Sequence, residues 1–265
     1  MAGELVEEMG LTVAVIGTGL VGGSIAQGLL ESGFATQVLG EDMLPEALIR
    51  AKVSRRLNLP SDAENVQIWV LATPPDGVLE WLQRLAPIAS PDAVITDTTS
   101  VKESICMNVP ENLRSRFVGG HPLAGSLTHE KSSPSLFADL HWILTPNGAD
   151  ELAVKRIEQM VFALDAIPVH MTSADHDRHM ATLSHLPGAL ASLFSRLGRD
   201  LAFAHLSPSN WPVHAGLNPD LWGQVLLQNR GEVQLAIDSL RQQLDVLEQA
   251  LQSQDSAAIK KILEE

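Results

Sequence analysis

At 265 residues the chain is long enough for one large or two modest domains, and 45% hydrophobic against 19% charged residues is a globular profile, not a disordered one. The formal net charge of −14 at pH 7 argues against unspecific nucleic-acid or anionic-membrane binding, so an anionic ligand must be captured locally, by helix N-termini or a few placed cations. The single cysteine, Cys106, excludes an internal disulfide and a thiolate metal site, and fits a reducing compartment.

The first ten residues, M-A-G-E-L-V-E-E-M-G, are acidic where a secretory signal would be basic. Leu11 to Leu30 carries no charge and reaches membrane-spanning length, but it holds five glycines (17, 19, 22, 23 and 28) and Gln27 and divides into a strand and a helix. A soluble, cytoplasmic protein is expected. Leu11 to Ile16, L-T-V-A-V-I, is the continuous run of a strand buried on both faces. It leads into Gly17, Thr18, Gly19, Leu20, Val21 and Gly22, a G-x-G-x-x-G fingerprint followed by a helical stretch that stops at Gly33. The first glycine permits the turn, the second lets a pyrophosphate approach the backbone, and the third lets helix and strand pack closely. These six residues are the expected dinucleotide cradle.

A second strand is expected at Gln37 to Gly40, ending in Glu41-Asp42. An acidic residue there accepts hydrogen bonds from a ribose 2′-hydroxyl and repels a 2′-phosphate, which favours NAD over NADP. Asp42 takes this role or caps a helix beginning near Pro45, and Glu41 shares or takes it. The next strand, Val66 to Ala72, ends at Thr73 and Pro74, both placed on the cofactor. A helix from about Gly77 to Leu85 and a strand at Ala93 to Thr96 follow, the latter giving way to D-T-T-S-V-K. Alternating strand and helix imply a parallel sheet whose ligands bind beyond the carboxyl ends of its strands. Ser100 lies on that rim and is also suited to cap the next helix. Lys102 is expected to be a solvated or phosphate-facing helix residue.

Phe117 to Gly125, F-V-G-G-H-P-L-A-G, presents His121 between Gly120 and Pro122, an imidazole on a constrained turn straight after a strand. Thr73, Ser100 and His121 thus converge on one rim. Trp142 to Thr145 and Pro168 to Met171 are further strands around an amphipathic helix, Glu151 to Leu164, and the α/β domain closes at residue 172. From 173 to 265 the spacing is helical, over Ala174 to Leu201 and roughly Leu221 to Leu251, with Ala204 to Pro219 as a loop. Such long, Leu-rich helices in a small domain imply burial against another subunit. His176 and His179, one turn apart beside Asp175 and Asp177, read as a helix N-terminal cluster before a metal site, since no third ligand stands at an obvious offset. The closing D-S-A-A-I-K-K-I-L-E-E continues the helical pattern, and no appended regulatory domain is expected.

G-T-G-L-V-G-G-S, A-T-P-P, D-T-T-S-V-K, G-G-H-P-L-A-G, A-D-H-D, L-S-H-L-P and N-P-D-L-W occur in this order over nearly the whole chain, which resembles the prephenate and arogenate dehydrogenases of tyrosine biosynthesis. The resemblance implies a nucleotide-binding domain followed by a helical dimerisation domain, a homodimer, and NAD-dependent oxidative decarboxylation of prephenate to 4-hydroxyphenylpyruvate. It makes His121 the acceptor of the ring-hydroxyl proton and Ser100 its hydrogen-bonding neighbour. Ser126, Ser184 and Trp222 match positions that line the substrate pocket.

Three departures bear on the substrate. The family's F-R-D-x-T-R-like segment, whose arginine grips a carboxylate, corresponds here to residues 207 to 217, which hold no arginine. A position often histidine after S-H-L-P is Gly188, and one often acidic is Leu127. A bidentate arginine is hard to replace, and His214, Arg178 and Arg230 are the candidates for its work. An arogenate dehydrogenase, a related dehydrogenase with another substrate, and a non-enzymatic nucleotide-binding module are the alternatives; the last needs neither Ser100 nor His121.

Overall fold

Strand β1 (Leu11–Ile16) is buried along almost its whole length, as its uninterrupted apolar run predicts, with β2 (Ala35–Glu41) parallel on one side and β4 (Ile68–Leu71) parallel on the other. A computed structural model describes residues 10–124, 132–199 and 218–264 of the chain and divides into two units, Met1–Asp177 and Arg178–Glu265. In the first, α1 (Leu20–Glu31) joins β1 to β2, and α2 (Pro45–Arg50) joins β2 to the two-residue edge strand β3 (Arg55–Arg56). Helix α3 (Pro75–Leu85) joins β4 to β5 (Val94–Asp97), and the short α4 (Glu103–Met107) precedes β6 (Phe117–Pro122). Strand β7 (His141–Thr145), helix α5 (Glu151–Ala163) and β8 (Ile167–His170) complete it.

Among the described residues these strands form one eight-stranded sheet in the order β3-β2-β1-β4-β5-β6-β7-β8, parallel at every junction except the antiparallel β6–β7 pair. The strand order reverses between β1 and β4. In doubly wound sheets that reversal opens a crevice at the carboxyl ends of the strands, where nucleotides bind.

Because side chains alternate across a strand, each central strand feeds two layers. Val13, Val15, Ile68, Val70, Val94 and Val118 pack with Ile25 and Leu29 of α1 and Ile157, Met160 and Val161 of α5 in one cluster. The alternate residues, Ala14, Ile16, Trp69, Leu71 and Ile95, are just as buried. Each fully buried leucine or isoleucine contributes about 1.5–3 kcal/mol, an upper figure for real unfolded chains.

Two local expectations change. Helix α1 begins at Leu20, inside the glycine fingerprint, because a Cβ at Gly22 would overlap the Gly17 carbonyl oxygen and only glycine lets the first turn settle there. His121 lies within β6, opposite Ile143 of β7, and not on a turn after it. The glycines before it serve close packing: a Cβ on Gly120 would stand 2.6 Å from the Asp97 carbonyl oxygen and 3.0 Å from Trp142 Nε1. Strand β5 pairs with β6 only as far as Thr96↔Val118, so β6 runs on and still delivers His121 beyond the carboxyl end of β5.

Helix α6 (Ser173–Met180) continues into a π-helical turn, Ala181–His185, and then α7 (Leu186–Arg199). The second unit also holds α8 (Pro219–Gln228), α9 (Arg230–Gln252) and α10 (Ser256–Glu264), with α9 packed against the π turn, α7, α8 and α10. Pro219 is the first residue of α8, not the end of a loop, and Asn218 caps that helix by accepting from the Asp220 and Leu221 amides at 3.0 and 3.3 Å. The helix expected over Leu221 to Leu251 breaks at Asn229, whose backbone leaves helical geometry. Within the chain Leu235, Leu244, Val246 and Leu251 of α9 remain at least half exposed. No helix of the described residues is long and apolar enough to cross a membrane.

Candidate active site

The glycine fingerprint closes on the sheet at the reversal point. Gly17 has φ of +84°, a conformation glycine adopts without cost, and its amide donates to the Glu41 carbonyl at 2.8 Å. Thr18 donates both its amide, at 2.7 Å, and its hydroxyl, at 3.1 Å, to Asp42 Oδ2, while Asp42 Oδ1 accepts from the Leu44 amide at 2.9 Å. Asp42 therefore locks the cradle to the end of β2 and orders the approach to α2 together. The carboxylate of Glu41 is taken by the Arg56 guanidinium in two 3.0 Å contacts.

Gly19 begins α1 with no side-chain cap and no acidic residue in the first turn, and among the described residues a Cβ placed on it would meet nothing within 4 Å. An uncapped amide end of this kind is the arrangement that receives a phosphate. A cleft of about 510 Å³ begins there, lined by Thr18, Gly19, Leu20, Gln27, Arg50, Lys52 and Ser132. Arg50, the last residue of α2, and Lys52 just beyond it are the local cations that so acidic a chain requires; their place depends on how α2 packs on α1, which sequence spacing does not give. Across the reversal point, Thr73 Oγ1 is buried and has no hydrogen-bond partner among the described residues, and Gly77 lies against it. An orphaned hydroxyl, an open glycine and an uncapped helix end fit a dinucleotide. Pro74 turns the chain into α3.

His121 is half-buried, and its Nδ1 lies 2.9 Å from Nε2 of His176, the two rings meeting edge to face with centroids 5.1 Å apart. His176 is wholly buried and its Nδ1 lies 2.7 Å from Asp177 Oδ1. Burial pushes its pKa down, with partial opposition from Asp177, so the ring is held neutral. The Asp177 carboxylate also accepts the amides of Lys102 (2.8 Å) and Glu103 (2.9 Å). It caps α4 from far along the chain, the task expected of Ser100, which sits half-buried in the bend after β5. His176 and His179 do not converge, for His179 points to solvent.

Lys102 is not solvated. It is fully buried and pairs with Asp97, which is equally buried, and donates to Thr99 Oγ1 at 3.0 Å. Asp97 in turn accepts from the Thr99 amide (2.9 Å) and hydroxyl (2.6 Å) and, through Oδ1, from the Gly120 amide (3.1 Å). This closed set ties the end of β5 to the residue before His121. Cys106 nearby stays a neutral thiol, burial pushing its pKa up to about 11. The spacing offered a signal for both buried groups: Lys102 shares a helical face with buried Ile105 and Cys106, and Asp177 with Met180 and Ala181.

In the helical unit, half-buried Ser184 lies in the π turn beside buried His185. His185 Nδ1 lies 3.1 Å from Asn229 Nδ2 and its ring meets Trp222 edge-on at 6.3 Å. Trp222 covers Gly188 so closely that a Cβ there would stand 2.6 Å from Cζ3 of the indole, so no histidine fits at 188 without moving the tryptophan. Arg178 and Arg230 are exposed. Ser126, Leu127, His214 and the whole of 207–217 lie outside the described residues.

Comparison with known proteins agrees over most of the chain. A family model described as prephenate dehydrogenase, nucleotide-binding domain, matches residues 25–169, and one described as prephenate dehydrogenase, dimerization domain, matches residues 172–265. The prephenate dehydrogenase of Lactococcus lactis subsp. cremoris is 28% identical over 274 residues, covering 96% of this chain and 75% of that one. Among solved structures, prephenate dehydrogenase from A. aeolicus in complex with hydroxyphenyl propionate and NAD+ superposes with a TM-score of 0.88 at 26% identity, covering 96% of this chain and 95% of that one. Synechocystis arogenate dehydrogenase superposes with a TM-score of 0.80, also at 26% identity, covering 96% of each chain. A Rossmann-type sheet with its glycine cradle at the strand reversal, followed by a helical domain, is thus accounted for by one lineage: the chain belongs to the prephenate dehydrogenase family of oxidoreductases.

Proposed function

We propose that this chain catalyses the NAD-dependent oxidative decarboxylation of prephenate to 4-hydroxyphenylpyruvate, with His121 as the proton acceptor. The observation that carries this reading is the delivery of a half-buried imidazole from β6 beyond the carboxyl end of β5, in the same sheet that holds the glycine cradle. Gly17, Thr18, Gly19, Leu20, Val21 and Gly22 would hold the pyrophosphate, Asp42 the adenosine ribose, and Thr73 and Pro74 the far side of the cofactor. When bound, NAD supplies the hydride acceptor. His121 Nε2 takes the proton of the ring hydroxyl as hydride leaves the same carbon, and Ser100 hydrogen-bonds the hydroxyl and the imidazole. Carbon dioxide then departs, its bonding electrons aromatise the ring, and the oxygen regains a proton. Ser126, Ser184 and Trp222 are the proposed substrate contacts. The protein acts in the cytoplasm as a homodimer through its helical domain, with the exposed leucines of α9 covered by the second copy; sedimentation at about twice the chain mass is expected, and a monomer would contradict it.

Trp222 seated on Gly188, together with the missing arginine, favours a second reading, arogenate, whose ammonium group asks for a different side-chain pocket. Comparing kcat/KM for prephenate and arogenate with NAD separates the two. Faster turnover of prephenate is expected; turnover of arogenate alone assigns the second reading, and turnover of neither overturns both. Cofactor choice is tested at Asp42. Asp42→Ser is expected to weaken NAD by about 10-fold, the loss of one charge-assisted hydrogen bond, and to narrow its advantage over NADP. An unchanged ratio of the two affinities in binding titrations would remove Asp42 from the ribose.

A further inference from the structure

The hydrogen bonds from Asp177 to His121 form a line with one sense of direction. A carboxylate only accepts, so the nitrogen facing Asp177 Oδ1, His176 Nδ1, carries a proton. His176 is neutral, which leaves its Nε2 as an acceptor, and the atom 2.9 Å away, His121 Nδ1, must then donate. With its proton on Nδ1, neutral His121 has Nε2 as its basic nitrogen. Asp177 is itself held by two backbone amides of α4, so the line cannot swing.

The groups facing His176 support the same sense. Asp177 stands beside it on α6, the Lys102 ammonium and Asp97 carboxylate neutralise one another on the β5–α4 side, Cys106 of α4 is an uncharged thiol, and His121 faces it from β6. The Asp177 carboxylate, 2.7 Å from His176 Nδ1 at the far end of the line, is placed to steady a positive charge that arrives on the imidazoles.

We propose that His176, anchored by Asp177, is a positioning residue that fixes the tautomer of His121 and shares the charge His121 acquires when it accepts a proton. This rests on the reading of His121 as the base. As His121 Nε2 gains the substrate proton, the proton on its Nδ1 moves toward His176 Nε2, and the positive charge spreads over both rings; when the product oxygen regains a proton, the sequence runs backward and no proton is gained or lost.

The test uses the full-length protein with His176→Leu and His176→Gln. Leucine removes the acceptor; glutamine keeps an acceptor toward His121 but cannot take up a proton. For His176→Leu kcat is expected to fall on the order of 10- to 100-fold, as when the partner orienting a functional imidazole is removed, and the acidic limb of its pH profile to move to lower pH, because His121 becomes a weaker base. His176→Gln is expected to restore part of kcat but not the position of the limb. A side-chain ¹⁵N spectrum at neutral pH gives a readout apart from activity: His121 is expected as the Nδ1-protonated tautomer in the parent and as a mixture in His176→Leu. An unmoved limb, or an unaltered His121 tautomer in His176→Leu, overturns the proposal. His121→Asn assayed in parallel keeps the two readings apart, since a loss there with no effect at His176 rejects only this relay, whereas activity surviving in His121→Asn rejects the base itself.

Discussion

Replacing His121 by asparagine is expected to cut kcat by about 10²–10⁴-fold, the usual contribution of a general base, and to leave the Kd for NAD nearly unchanged. The geometry separates the two functions. The imidazole rises from β6, past the end of β5, whereas the glycine cradle follows β1 and Asp42 follows β2, three and four strands away. Asparagine fits the strand, keeps a polar tip toward His176 and cannot accept a proton at pH 7. Titrating NAD against both proteins and measuring turnover on the same samples checks this. Equal loss of binding and rate would make His121 a structural residue.

Lys102→Met is expected to produce the largest loss of stability, about 3–5 kcal/mol, the cost of stripping one partner from a buried ion pair. The ammonium is fully buried, and its removal leaves the buried Asp97 carboxylate held by neutral donors, the Thr99 amide and hydroxyl and the Gly120 amide. The double variant Asp97→Asn with Lys102→Met buries no charge and is expected to recover a good part of the loss. Urea unfolding of parent, single and double variants measures it, and a single variant as stable as the parent would contradict the account. Because Asp97 also accepts the amide of Gly120, one residue before His121, the single variant is expected to lose activity before it unfolds.

Much of this was legible in the order of residues. Continuous apolar runs at Leu11 to Ile16 and Val66 to Ala72 marked strands buried on both faces, and the glycine spacing between β1 and α1 marked the cradle, where Gly17 and Gly22 answer steric demands and Gly19 keeps the helix end uncrowded. What escaped were the demands of chain segments far apart. Gly119 and Gly120 read as a turn because glycine pairs usually make one; here Asp97, Trp142 and Thr145, supplied by neighbouring strands, need the space. Lys102 read as solvated because lysine is seldom buried unpaired; its partner Asp97 stands only five residues earlier, but the pair is enclosed by groups from far along the chain, the Gly120 amide on Asp97 and the Asp177 carboxylate on the Lys102 amide. Asp177 capping α4 across 75 residues, and His176 reaching His121 across 55, are likewise products of the fold. The same holds in the helical unit, where Asn229 breaks a helix that spacing alone joins and turns its amide to His185.

The departures at Gly188 and in 207–217 leave the chemistry at His121 intact and put the weight of the account on the substrate. The most direct measurement is therefore the stoichiometry of a single incubation of the purified protein with NAD and prephenate. One NADH, one carbon dioxide and one 4-hydroxyphenylpyruvate for each prephenate consumed is the predicted result. NAD bound without NADH or carbon dioxide released would contradict it.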